Sequence, residues 1–184
     1  MQPLLIDTLP TPNPNALMFK VEVPLVARGT YEYRNAAAAT EAPLARRLFT
    51  LDGVEQVLVT SRFVTVNKLG GLDWPELVPG IKGLIREHVS SGDPAVGEGQ
   101  IVEALDTSSE LARQIVELID DEIRPAVAMD GGDVQFVGLT DDNVVQVRLI
   151  GSCASCPSAT ATLALGIERL IVEEFPDVAG VIQV

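Results

Sequence analysis

Val144-Val145-Gln146-Val147-Arg148-Leu149-Ile150-Gly151-Ser152-Cys153-Ala154-Ser155-Cys156-Pro157-Ser158 is the stretch that decides the fold of the C-terminal half. Val145, Val147 and Leu149 alternate with Gln146 and Arg148, the period-two pattern of a half-buried strand. The pattern stops at Gly151 in a run of small residues. Beyond it Leu163, Ile167, Leu170 and Ile171 recur at helical spacing. Pro157 falls near the first helical position, where the missing N–H costs little because it would have no partner there. The reading is strand, cysteine loop, helix.

Upstream, Val134 to Leu139 makes a hairpin with Val144 to Ile150 around Asp141-Asp142-Asn143. Asp130-Gly131-Gly132-Asp133 reads as a tight turn that uses glycine's backbone freedom, with a place beside the cysteine loop as its other reading. Before it, Thr107-Ser108-Ser109-Glu110 is a capping box opening a helix with Leu111, Ile115, Leu118, Ile119 and Ile123 as its stripe. Val178 to Val184 supplies a last strand, so the order is helix, strand, strand, helix, strand.

The N-terminal half has its own plan. Leu4 to Asp7 and Leu17 to Val23 read as strands on either side of a Thr-Pro-Asn-Pro-Asn loop at 11–15. Ala42 to Leu51 reads as a short helix with Leu44 and Leu48 inward and Arg46 and Arg47 toward water. Val54 to Thr60 and Phe63 to Lys68 pair as strands. Asp73-Trp74-Pro75-Glu76 is a second capping-box pattern, and Leu77, Ile81, Leu84, Ile85 and Val89 follow at helical spacing. Trp74 is read as a packing residue, and His88, the sole histidine, as a residue of that helix's surface. Ser90 to Gly99 is short on large apolar residues and rich in glycine and small or polar ones, as a linker would be. The expectation is an α+β protein of two small mixed domains, 1–91 and 108–184, joined by a flexible linker at 92–107.

Apolar residues are 47% of the 184 and aromatics only 4%, so the cores must be built from Val, Leu, Ile and Ala. The formal net charge of −13 argues against nucleic acid, whose phosphates need a Lys/Arg surface, and against an anionic membrane. No apolar run approaches the roughly 18 residues of a membrane span, and the first residues lack a basic and then apolar leader.

Two cysteines in so long a chain do not make a disulfide scaffold. With two residues between them, Cys153 and Cys156 can turn both sulfurs to one side of a loop and ligate one centre. Their small neighbours keep side chains clear of an inorganic core, and the positive end of the following helix favours thiolate by roughly 0.3–1 kcal/mol. A four-iron cluster takes four thiolates and one chain has two, so sharing between two protomers completes the count. Spacing alone leaves three other readings open: a dithiol redox pair, half a zinc site, or two packed cysteines without function. The lack of an expected βαβ unit weighs against the first, and the absence of a second ligand pair against the second.

The chain resembles the NifU-like (Nfu) family of iron–sulfur cluster scaffold and carrier proteins. In the C-terminal half the resemblance rests on Met129-Asp130-Gly131-Gly132-Asp133-Val134, on Gly151 to Ser158 and on Gly180-Val181. In the N-terminal half it rests on Thr11 to Leu17, on Leu44 to Phe49 running into Asp52-Gly53-Val54, and on Asp73-Trp74. It implies a C-terminal domain that binds one labile [4Fe-4S] cluster per homodimer through Cys153 and Cys156. It also implies an upstream cluster donor and apoprotein clients as partners, transfer by thiolate exchange, and no catalysis. The class it sets aside is a Cys-x-x-Cys dithiol oxidoreductase. A domain of this type starting within a few residues of Met1 leaves no room for an organelle presequence, so the expected compartment is a bacterial cytoplasm.

Overall fold

The computed structural model describes residues 4–27, 29–97, 108–151 and 157–184, with the backbone alone at 157–160 and 162. The chain forms two compact units, Met1–Val102 and Glu103–Val184, each an α+β fold.

In the first unit, β1 (Ile6–Pro10), β2 (Ala16–Val21), β3 (Tyr31–Tyr33), β4 (Val54–Val59) and β5 (Phe63–Lys68) form an antiparallel sheet in the order β1-β2-β5-β4-β3. Against it pack α1 (Pro43–Leu48) and α2 (Trp74–Ser91). The first strand lies two residues later than the sequence suggests, because its register with β2 runs from Ile6↔Val21 to Pro10↔Leu17. Pro10 is tolerated because β1 is an edge strand. Phe19, Val57, Val59, Val64 and Val66 meet Leu44, Leu48, Ile81 and Ile85 in a core that is indeed almost wholly aliphatic.

Three expectations for this unit need correction. Asp73 stands at the N-cap of α2, but its side chain accepts no capping bond. His88 is buried, 2% exposed, not on the helix surface. It follows Ile81 and Ile85 at i+7 and i+3 spacing, so it shares their inward face. The linker also begins later than 92. Gly92, at φ 72°, reverses the chain after α2; Asp93 then pairs with Arg47 at 3.0 Å, and the Ala95 carbonyl accepts from Leu44 N–H at 3.3 Å. Ala95 is 2% exposed within the core. The remainder of the expected linker, 98–107, lies outside the described residues.

The second unit runs α3 (Glu110–Leu118), a π-helix (Ile119–Ile123), α4 (Arg124–Met129), β6 (Gly132–Leu139), β7 (Val144–Gly151), α5 (Pro157–Glu174) and β8 (Gly180–Gln183). Thr107, first residue of the expected capping box, lies outside the described residues; the cap of α3 is Ser109, whose Oγ accepts from Ala112 N–H at 3.0 Å. Ile115, Ile119, Ile123 and Val127 are all buried. A strict four-residue step overshoots each 3.6-residue α-turn by about 40° and would walk round the helix. The π-turn, with its wider i→i−5 closure at Arg124 N–H to the Ile119 carbonyl, takes up that drift and keeps the stripe on the core. Pro125 suits the departure, since it has no N–H to give the Asp121 carbonyl.

Behind these helices the sheet order is β6-β7-β8. β6 and β7 pair antiparallel through the turn at Thr140 to Asn143, with Asn143 at φ 58°. β8 is parallel to β7, from Val144↔Gly180 to Val147↔Gln183. Ile167 and Ile171 of α5 close the core over Val134, Phe136, Val145, Val147 and Leu149.

Candidate metal centre

Cys153 and Cys156, with the rest of 152–156, lie outside the described residues. The structure does place the frame on both sides of them. β7 delivers the chain at Gly151, and α5 takes it up at Pro157. Gly132, first residue of β6, stands opposite Gly151, and Asp133 opposite Ile150. The Asp130–Asp133 turn therefore lies at the same end of the sheet as Gly151, the last described residue before the cysteines. Gly131 and Gly151 have φ of 75° and 82°, a left-handed conformation that costs a side-chain-bearing residue roughly 1–2 kcal/mol.

Asp133 is 4% exposed, and a buried carboxylate requires a facing charge and hydrogen bonds. Arg124 Nε supplies the first at 2.9 Å, and Val134 N–H donates to the same oxygen at 2.7 Å. Neither Arg124 nor the π-turn was read from the sequence; Arg124-Pro125 inside an otherwise helical stripe is the mark that could have flagged both.

The start of α5 presents the positive end of an 18-residue helix to the cysteine segment. Elsewhere in this unit Glu117, Asp121, Glu122 and Glu174 rim a depression of about 310 Å³ floored by Leu118 and Phe175. Glu174 ends α5, some 25 Å from its start at about 1.5 Å per residue. With screening over about 8 Å at physiological salt, its charge is hardly felt at Pro157.

Among the described residues no three His, Cys, Asp or Glu side chains gather to hold a metal ion. His88 is enclosed in the first unit, its Nδ1 without a partner among the described residues. Burial, and then the charge of Arg47, lower its basicity, against an opposing effect of Asp93. Trp74 is a packing residue, as expected: it lies against the core, donates Nε1–H to the Pro14 carbonyl at 3.0 Å, and carries Lys68 Nζ 5.5 Å from its ring centroid.

One expectation about topology fails. The element pattern predicts no βαβ unit around the cysteines, yet β7, α5 and parallel β8 form one. The pairing partner of the last strand is a tertiary matter, invisible to periodicity. That order removes one objection to a thioredoxin-like redox pair.

The fold and this frame define a two-unit α+β protein with a Cys-x-x-Cys segment set between a strand end and a helix start. Residues 6–92 match the family described as scaffold protein Nfu/NifU N terminal, and residues 115–182 match the NifU-like domain. A solution structure of a NifU-like protein from Saccharomyces cerevisiae aligns at TM-score 0.47 and 25% identity, over 52% of this chain and 86% of that one. The chain is 38% identical to NifU-like protein 5, mitochondrial, of Arabidopsis thaliana, over 98% of this chain and 68% of that protein. It is 41% identical to the human NFU1 iron-sulfur cluster scaffold homolog, mitochondrial, over 98% of this chain and 72% of that protein. The chain belongs to the NifU-like (Nfu) family.

These names overturn the expected bacterial cytoplasm, since the plant and human relatives are both named mitochondrial. The chain covers 68% and 72% of their lengths, so the position of its first residue decides nothing about a presequence.

Proposed function

We propose that the protein is an iron–sulfur cluster carrier rather than an enzyme. Its cargo is a [4Fe-4S] cluster shared by two protomers, each giving the thiolates of Cys153 and Cys156. The observation that carries this reading is the Cys-x-x-Cys segment inside the matched NifU-like domain, in a chain whose human relative is named a cluster scaffold. Thiolates are the donors such clusters take, and two per chain make half of four. The glycine-bounded strand end on one side and the helix start on the other support a compact thiolate pair.

Loading from an upstream donor and delivery to an apoprotein proceed by ligand exchange. An incoming thiolate replaces a protomer's sulfur on iron, and the freed thiolate takes a proton from solvent. With two ligands per chain, one protomer's pair is released before the other, which gives the lability a carrier needs. The domain limits proposed are 1–97 for the N-terminal part and 108–184 for the part that carries the cluster.

Cys153→Ser and Cys156→Ser test the site. Each is expected to abolish cluster uptake while far-UV circular dichroism stays that of the parent; uptake by both variants, or loss of the fold, overturns the assignment. The parallel β7–α5–β8 unit is the one observation on the side of a dithiol oxidoreductase. That reading expects a colourless monomer that reduces protein disulfides.

A further inference from the structure

Arg124 is the first residue of α4, directly after the π-turn, and its guanidinium reaches acceptors on two elements. Nε donates to Asp133 Oδ1 at 2.9 Å, Nη2 to the Val134 carbonyl at 3.1 Å, and Nη1 to Asp120 Oδ1 at 2.5 Å. The planar fork of arginine suits this role, because several donors are fixed by one group. The contacts tie the helical layer to the first residues of β6. Those residues stand opposite the last residues of β7, Gly132 with Gly151 and Asp133 with Ile150. Only Ser152 separates Gly151 from Cys153.

We infer that Arg124 is a positioning residue for the cysteine segment. Through Asp133 it fixes the Gly132–Gly151 end of the sheet from which that segment departs, and so sets how long the two thiolates retain their cargo. The inference rests on the reading of Cys153 and Cys156 as cluster ligands. Arg124 acts at the root of the segment, holding the Gly132–Gly151 strand end through Asp133 and Val134. A ligand pair whose supporting contacts are loosened sheds its cargo sooner.

The test compares Arg124→Gln, Arg124→Lys and the surface control Arg169→Gln in the full chain, each first shown to be folded by circular dichroism. Two rates are read. One is the loss of the cluster's visible absorbance under an iron chelator; the other is alkylation of the apoprotein's thiols by iodoacetamide. Arg124→Gln is expected to lose cluster about tenfold faster, the lower end for partners behind a metal's direct ligands, and to change the alkylation rate. Arg124→Lys falls between, keeping the charge without the fork. Arg169→Gln, which breaks only the exposed pair with Glu173, leaves both rates unchanged. If Arg124→Gln does not fold, Asp133→Asn, of the same shape but uncharged, carries the same comparison. A folded variant that matches the parent in both rates overturns the inference. If the parent itself takes up no cluster, the underlying reading fails, while the alkylation rates still decide whether Arg124 positions the segment.

Discussion

His88 of α2 is buried within electrostatic reach of Arg47 of α1, whose guanidinium also holds Glu87 at 2.9 Å and Asp93 at 3.0 Å. Burial and the arginine both disfavour the imidazolium, and Asp93 opposes them. The native unit therefore binds fewer protons at this site than the unfolded chain does. Stability from neutral His88 is fully present above the ordinary value of 6.5 and is lost as the pH falls below it. The single group contributes a slope of at most about 1.4 kcal/mol per pH unit. Trp74, the sole tryptophan and part of the same unit, reports unfolding by fluorescence. Urea midpoints between pH 7.5 and 5.5 should fall for the parent and fall less for His88→Gln. Equal slopes would remove His88 from the account.

Two capping-box sequences end in different structures, which makes a paired prediction. Ser109→Ala deletes a bond made to Ala112 N–H and is expected to cost about 1 kcal/mol of C-terminal stability, read by far-UV circular dichroism. Asp73→Ala deletes a side chain that makes no capping bond, and should change the Trp74 fluorescence transition by less than about 0.5 kcal/mol. A larger effect at Asp73 than at Ser109 would contradict both assignments.

Gly151→Ala places a β-carbon at φ 82° on the strand end from which the cysteine segment departs. The expected cost is about 1–2 kcal/mol in urea unfolding. Gly138→Ala, at a glycine without a positive φ and with no atom nearer than 3.7 Å to the added carbon, is the milder comparison within the same hairpin. Equal stability of the two variants would mean that the left-handed turn at Gly151 is not enforced by the fold.

Much of the fold was legible because burial here is periodic. The alternation from Val145 to Leu149 and the stripe through Ile115, Ile119 and Ile123 each reappear as buried faces. His88 shares the spacing of Ile81 and Ile85, but its polar side chain predicts a surface position while its place on the helix dictates burial. The π-turn escaped for another reason: apolar spacing does not distinguish an α-helix from one locally wound wider, and Pro125 alone marked the difference. β3, with three residues from Tyr31 to Tyr33, is too short for any pattern. β8 was readable as a strand but not as the parallel neighbour of β7, since no local property of Gly180 to Gln183 names its partner. The cysteine pair was legible by type and spacing. Arg124 was not, because its value lies in contacts with Asp120, Asp133 and Val134 that only the folded chain assembles.

The central claim is most directly tested by anaerobic reconstitution of the full chain with iron and sulfide. Iron and sulfide per chain, molecular mass and transfer to an apo-recipient are then measured on the same sample. A [4Fe-4S] cluster bridging two protomers predicts about two irons and two sulfides per chain on a dimer whose colour passes to the recipient, with Mössbauer spectra of a single four-iron centre. A colourless monomer with a reversible Cys153–Cys156 disulfide would contradict it and leave the dithiol oxidoreductase in its place.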